Sequence, residues 1–147
     1  MTLEDHIEEH IHEYISIQPE QKRGDMQRLH DTILALLPEG RLWYDDGTDA
    51  QGKVVCNPSI GYGLQSLVYA NGKTKDFYQI GLSAISTGIS VYILGLKDKK
   101  HLVNTYANAI GKARVTGYCI TFKKLADINI DVLVSAMRYG IAETRSS

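Results

Sequence analysis

A chain of 147 residues that is 44% apolar and 22% charged has the size and composition of one globular domain, enough to bury roughly 70% of its unfolded surface. The formal net charge of −1, with no arginine-rich run or basic stripe interleaved with aromatics, excludes a nucleic-acid binder. The lack of any apolar run of about 18 residues excludes a membrane-spanning helix.

The opening MTLEDHIEEHIHEY is acidic and has neither the positive nor the apolar region of a signal peptide. The two cysteines, Cys56 and Cys119, form no CxxC pair and read as reduced thiols of a cytoplasmic protein. The small net charge conceals a division. Residues 1–51 carry 4 basic and 12 acidic side chains, a net of −8, and residues 52–147 carry 12 basic and 5 acidic, a net of +7. A solvated acidic helix beside a basic sheet edge explains this. So does a cation-attracting first helix opposed by an anion-attracting surface near Lys112, Arg114 and Lys123.

Leu3, Ile7, Ile11 and Ile15 recur at helical spacing and predict a first helix over about residues 3–16, with Thr2 and Asp5 as its capping pair. Pro19 is expected at the first position of a second helix whose stripe is Met26, Leu29, Ile33, Leu36 and Leu37, closed by Pro38 and Gly40. RLWY and the residues around Pro58 read as short extended pieces flanking a polar loop. Asp45, Asp46 and Asp49 in that loop lack the spacing and final Glu of an EF-hand, so a solvated loop is expected.

Asn71-Gly72 between LQSLVYA and KTKDFYQIGLS is a strong hairpin signal, and with ISVYILGL it predicts three consecutive strands in an antiparallel meander. Asp98 is expected to cap a helix carrying Leu102, Val103, Tyr106 and Ile110 and ended by Gly111. In the strand that follows, Tyr118, Ile120 and Phe122 should face a core, and Gly117, Cys119, Thr121 and Lys123 a cleft. Asn129 caps a last helix with Ile130, Leu133, Val134, Met137 and Ile141 on one stripe. The expected fold is α+β: two N-terminal helices, a mainly antiparallel sheet of about five strands, a helix before the last strand and a C-terminal helix.

His6-Ile7-Glu8-Glu9-His10 has the inverted zinc-peptidase spacing, and His6, His10 and Glu13 share a helix face. No later element supplies a cleft around it, so a plain helix surface is the preferred reading. Cys119 beside Lys123 is the best nucleophile candidate, but no histidine is placed to serve it as base. Tyrosines and glycines intermingle on the expected strands: Tyr62, Tyr69, Tyr78, Tyr92 and Tyr118 among Gly61, Gly63, Gly81, Gly95 and Gly117. Glycine in a strand often marks a place where a ligand or backbone approaches closely, and tyrosine gives a pocket a flat wall with one hydrogen-bonding tip; half-buried tyrosines bonded to backbone would look identical.

IGYG, FYQIGLS, GISVYILGL, GKARVTGYCITFKKL and DINIDVL together resemble the YdhG-like bacterial family of small domains of unknown function, over about residues 14–141. The resemblance implies an α+β fold related to frataxin-like and YjbR-like domains, helices packed on one face of an antiparallel sheet. One branch of that family is described as frataxin-like iron chaperones, which implies iron as cargo and an iron-accepting protein as partner.

Two functions are therefore expected, the first preferred. One is a non-enzymatic binding domain, monomer or homodimer, taking a small ligand in a pocket on the sheet lined by Tyr62, Gly63, Tyr78, Ser83, Tyr92, Lys112, Tyr118, Cys119 and Lys123. The other is an iron chaperone holding metal at Glu8, Glu9 and Glu13 with His6 and His10, where hard carboxylates suit an exchangeable site. An enzyme using Cys119 is the third and weakest.

Overall fold

The secondary structure follows from where the apolar residues fall. The structure, a computed structural model, describes residues 3–145. Helix α1 spans Leu3–Ser16 and α2 Glu20–Leu36; Thr2 of the expected capping pair lies outside the described residues. Pro19 is the residue before α2 rather than its first, with φ −54° and ψ 149°. Strand β1 is Leu42–Asp45 and β2, starting just after Pro58, is Ser59–Tyr62. Then come β3 Gln65–Val68, β4 Thr74–Phe77, β5 Ile80–Ile85 and β6 Gly88–Ile93. Helix α3 is His101–Tyr106, β7 Ala113–Val115, β8 Cys119–Phe122 and α4 Ile130–Glu143.

Six strands form one antiparallel sheet in the order β1-β2-β5-β6-β8-β7, and β3 and β4 form a separate two-stranded hairpin. The helices pack on one face: α1 against β1, α2 and α4 against β5 and β6, α3 against β7 and α4. Ile60, Ile80, Leu82, Ile89, Val91, Ile93 and Ile120 point into this interface and are fully buried, each contributing about 1.5–3 kcal/mol. Met26, Leu29 and Ile33 meet them from α2, and Leu133, Ala136 and Met137 from α4. A Cβ on Gly140 would collide with Ile93, so the glycine lets α4 sit directly on the sheet. Asn129 caps α4 by accepting from the Asp131 N–H at 3.0 Å.

Three expectations need correction. The run KTKDFYQIGLS is two strands, because the chain turns at Tyr78-Gln79 to leave the hairpin and enter the main sheet, where β5 pairs with β2 and β6. The Asn71-Gly72 hairpin itself forms, with Gly72 at φ 82° and the Asn71 side chain accepting from the Lys73 N–H. Second, the run before Gly117 is a strand: β7 pairs with β8 through a tight turn. Third, Gly117 and Tyr118 lie in that turn. The Thr116 hydroxyl accepts from the Cys119 N–H, the alternation begins only at Cys119, and Tyr118 is 55% exposed instead of facing the core.

Asp98 does not cap α3, whose preceding residue is Lys100; its carboxylate accepts from the Lys100 N–H, and the helix ends at Tyr106, short of the expected Ile110 and Gly111.

Candidate functional site

The residues expected to line one pocket are distributed over several places. Tyr62 lies on the helix face, buried, with its hydroxyl 2.7 Å from His30 Nδ1. Gly63 supports Trp43, whose indole N–H donates to the Gly63 carbonyl at 2.7 Å. Ser83 is buried and donates to the Pro58 carbonyl at 2.6 Å. Tyr92 and Cys119 are cross-strand neighbours on the face away from the helices, both half-buried. Cys119 Sγ lies 3.4 Å from the Thr121 hydroxyl. Among the described residues no histidine bonds to either cysteine. Lys112 is exposed beside the Gly111 turn. Lys123 lines a separate hollow of about 210 Å³ with Lys22 and Lys124. Tyr62, buried on the helix side, cannot share a wall with Tyr92 and Cys119 on the other.

Of that set only Tyr78 lines the large concavity, a groove of about 770 Å³ at the β1 edge of the sheet. One wall is α1 and the helix-facing side of β1: His10, Glu13, Tyr14, Ile17 and Tyr44. The His10 imidazole stacks on Tyr44 at 5.5 Å with the planes 8° apart, and Tyr14 meets Tyr44 edge-on. Tyr14 is pinned from behind: its hydroxyl accepts from the Ala84 N–H at 2.7 Å and donates to the Pro58 carbonyl at 3.0 Å.

The opposite wall is Trp43, Asp45, Lys75, Asp76, Phe77 and Tyr78. Gly61 and Gly81 face each other across β2 and β5, and the Tyr78 ring lies over both. A Cβ on Gly61 would come within 2.3 Å of the ring and one on Gly81 within 2.7 Å. The missing side chains make the slot. Trp43, Phe77 and Tyr78 pack edge-to-face or tilted around it. Arg41 sits 3.9 Å over the Trp43 ring and the Lys75 ammonium 5.3 Å over Phe77, so these faces already attract cations.

Burial pushes the phenols of Tyr14, Tyr44 and Tyr78 above their usual range, so these rings stay uncharged. Asp46, also on the rim, is held below the usual carboxylate range by the Thr48 hydroxyl and backbone N–H. The rim carries the carboxylates Glu13, Asp45, Asp46 and Asp76 against Lys75, with Arg41 over Trp43.

The polar loop makes its own turns. Asp45 accepts from the Gly47 N–H, Asp46 from the Thr48 N–H, and Asp49 from those of Gln51 and Lys53. Glu8, Glu9 and Glu13 are exposed on α1, with His6 3.9 Å from Glu9. Among the described residues no three His, Cys, Asp or Glu side chains converge where a metal ion could sit. The His6 and His10 pair is split in role, since His10 packs on Tyr44.

Trp43, Tyr44 and Phe77 carry the groove, and periodicity on the strands did not point to them. A signal existed. The only tryptophan stands beside a tyrosine in a four-residue strand next to an acidic loop, and Phe77-Tyr78 is an aromatic pair at a strand end. No helix among the described residues is long and apolar enough to cross a membrane. Comparison of the chain with protein-family models, with curated proteins and with solved structures finds no match.

Proposed function

We propose that this protein is a non-enzymatic binding domain whose site is the groove between α1, β1 and the β3–β4 hairpin. The observation that carries the reading is the groove itself. Its 770 Å³ lies within the range of ligand sites, and five aromatic rings meet four carboxylates there. Aromatic walls with a negative rim favour a ligand with an apolar body and positive charge. The proposal moves the site from the signature strand at Cys119 to the far edge of the sheet. It keeps the chain among the YdhG-like small domains, on the strength of the GKARVTGYCITFKKL and DINIDVL runs. The iron-carrying alternative rests on that resemblance and on the acidic α1.

Trp43, the only tryptophan, reports on the site directly. Small organic cations and neutral controls are screened by tryptophan fluorescence and by amide chemical shifts. The expected result is a saturable change at Trp43, Tyr44 and Phe77, weakened by Asp76→Asn. Ligands whose shifts map to Cys119 and Tyr92, with Trp43 silent, would refute the assignment.

A further inference from the structure

The groove touches both faces of one strand. Trp43 and Tyr44 are consecutive in β1, so their side chains project to opposite sides of the sheet. Trp43 meets Phe77 and Tyr78, whereas Tyr44 meets His10 and Tyr14. A single concavity lined by both runs across the outer edge of β1.

That edge has unpaired backbone. β1 is terminal in the strand order and pairs only with β2. The Gly63 N–H donates to the Arg41 carbonyl at 2.8 Å, which sets the phase of the ladder. Trp43 and Asp45, two and four residues on, bond toward β2, so Leu42 and Tyr44 turn their N–H and C=O groups outward. Among the described residues neither bonds to another part of the chain. Such an edge is a template for a further strand.

Both walls are aromatic and carry charge. Toward α1 stand Tyr14, Tyr44 and Ile17, the last 70% exposed, with His10 and Glu13. Toward the hairpin stand Asp45, Asp76 and Lys75 around the aromatic cluster, with Arg41 over Trp43. A strand added to β1 would send alternate side chains to these two walls. The rings match apolar residues, and four carboxylates against Lys75 and Arg41 leave the groove net negative, which matches cationic ones.

Resting on the groove as the binding site, we propose that its occupant is an extended segment of a partner protein, bearing both basic and apolar side chains, which pairs with β1 as a seventh strand of the sheet. Backbone hydrogen bonds to Leu42 and Tyr44 supply register, and the carboxylates select charge.

The test uses the full chain and a short acetylated, amidated peptide of alternating lysine and valine. On saturation, amide hydrogen exchange at Leu42 and Tyr44 slows by about tenfold or more, while Trp43, already bonded to β2, is unchanged. Replacing lysine by glutamate in the peptide, or N-methylating its backbone throughout, weakens binding by about tenfold or more. Binding that leaves the Leu42 and Tyr44 amides unprotected overturns the proposal, as does equal binding of the glutamate or N-methylated peptide. Concentration-dependent self-association abolished by Arg114→Glu on the opposite edge also overturns it, in favour of a second copy of this chain. If spermidine shifts Trp43 fluorescence and the peptide does not, strand addition falls while the groove stands. Silence of Trp43 toward every compound removes both.

Discussion

The slot under Tyr78 can be tested by filling it. In Gly61→Ala the new Cβ would lie 2.3 Å from Tyr78 Cδ1, 2.5 Å from Cγ and 2.9 Å from Trp43 Cβ. Ordinary contact begins at 3.4 Å, so the ring has to rise by about 1 Å in a tightly packed setting. Tyr78 is buried and continues directly into β5, and Trp43 is tied to Gly63, so neither neighbour gives way freely. Overpacking of this kind costs about 1–3 kcal/mol. Removing a glycine from the unfolded chain returns about 0.4–1 kcal/mol. The net expectation is a loss of about 1–2 kcal/mol, or about 3–8 °C in Tm for a chain of this size. Thermal melts by circular dichroism and urea titrations measure it, with Trp43 emission as a second readout because the displaced ring borders the indole. The matched control is Gly24→Ala on α2, where a Cβ meets nothing within 4 Å and should stabilise by about 0.5–1 kcal/mol. If Gly61→Ala melted at or above the wild-type temperature, Tyr78 would not lie across Gly61, and the slot that forms the groove wall would not exist.

Burial holds the His30 imidazole below its ordinary range, against the opposing pull of Asp31 and Glu8. The unfolded chain therefore binds the proton more readily, and stability is full above the unfolded value of about 6.5 and falls as pH drops through it toward the lowered folded value. His30→Gln should flatten that part of the urea-midpoint profile; an unchanged slope would mean that His30 is not the group responsible. Asn129→Ala removes the side chain that caps α4 and should cost about 1 kcal/mol, read as a shift in urea midpoint without a change in m. Tyr118→Ser should change stability by less than about 0.5 kcal/mol, since the side chain is largely exposed. A core role would show as a loss of several times that.

Local signals were sufficient wherever one stretch of chain decides its own conformation. The isoleucine spacing of α1, the Met26-Leu29-Ile33 stripe of α2, the Asn71-Gly72 turn and the Asn129 cap are all legible from residues a few positions apart, and each forms. The alternation of β8 also held from Cys119 onward, with Ile120 and Phe122 buried. It failed at Gly117 and Tyr118, because a turn bonded to Thr116 delays the start of the period-two pattern until Cys119. Gly61 and Gly81 are places of close approach, but what approaches them is the Tyr78 ring and not the expected ligand or backbone.

What they approach was decided elsewhere. Strand alternation tells that two sets of side chains part, but not which set meets helices; Tyr62 went to the core and Tyr78 to the other side. The charge division acquired a geometry only through strand order. β1 and β7 are the opposite edges of the sheet, so the acidic half borders one rim and Arg114 and Lys112 the other. Neither edge is adjacent to the other in sequence or in space, and no period in the chain encodes that separation. The groove exists because α1 packs on one face of β1 and the Phe77-Tyr78 end of the hairpin on the other, segments far apart in sequence. By itself the sequence determined α1, α2 and α4, the Asn71-Gly72 hairpin and the Asn129 cap. The tertiary structure alone decided which edge remained unpaired, since pairing is a property of two strands and an edge is where the second one is absent.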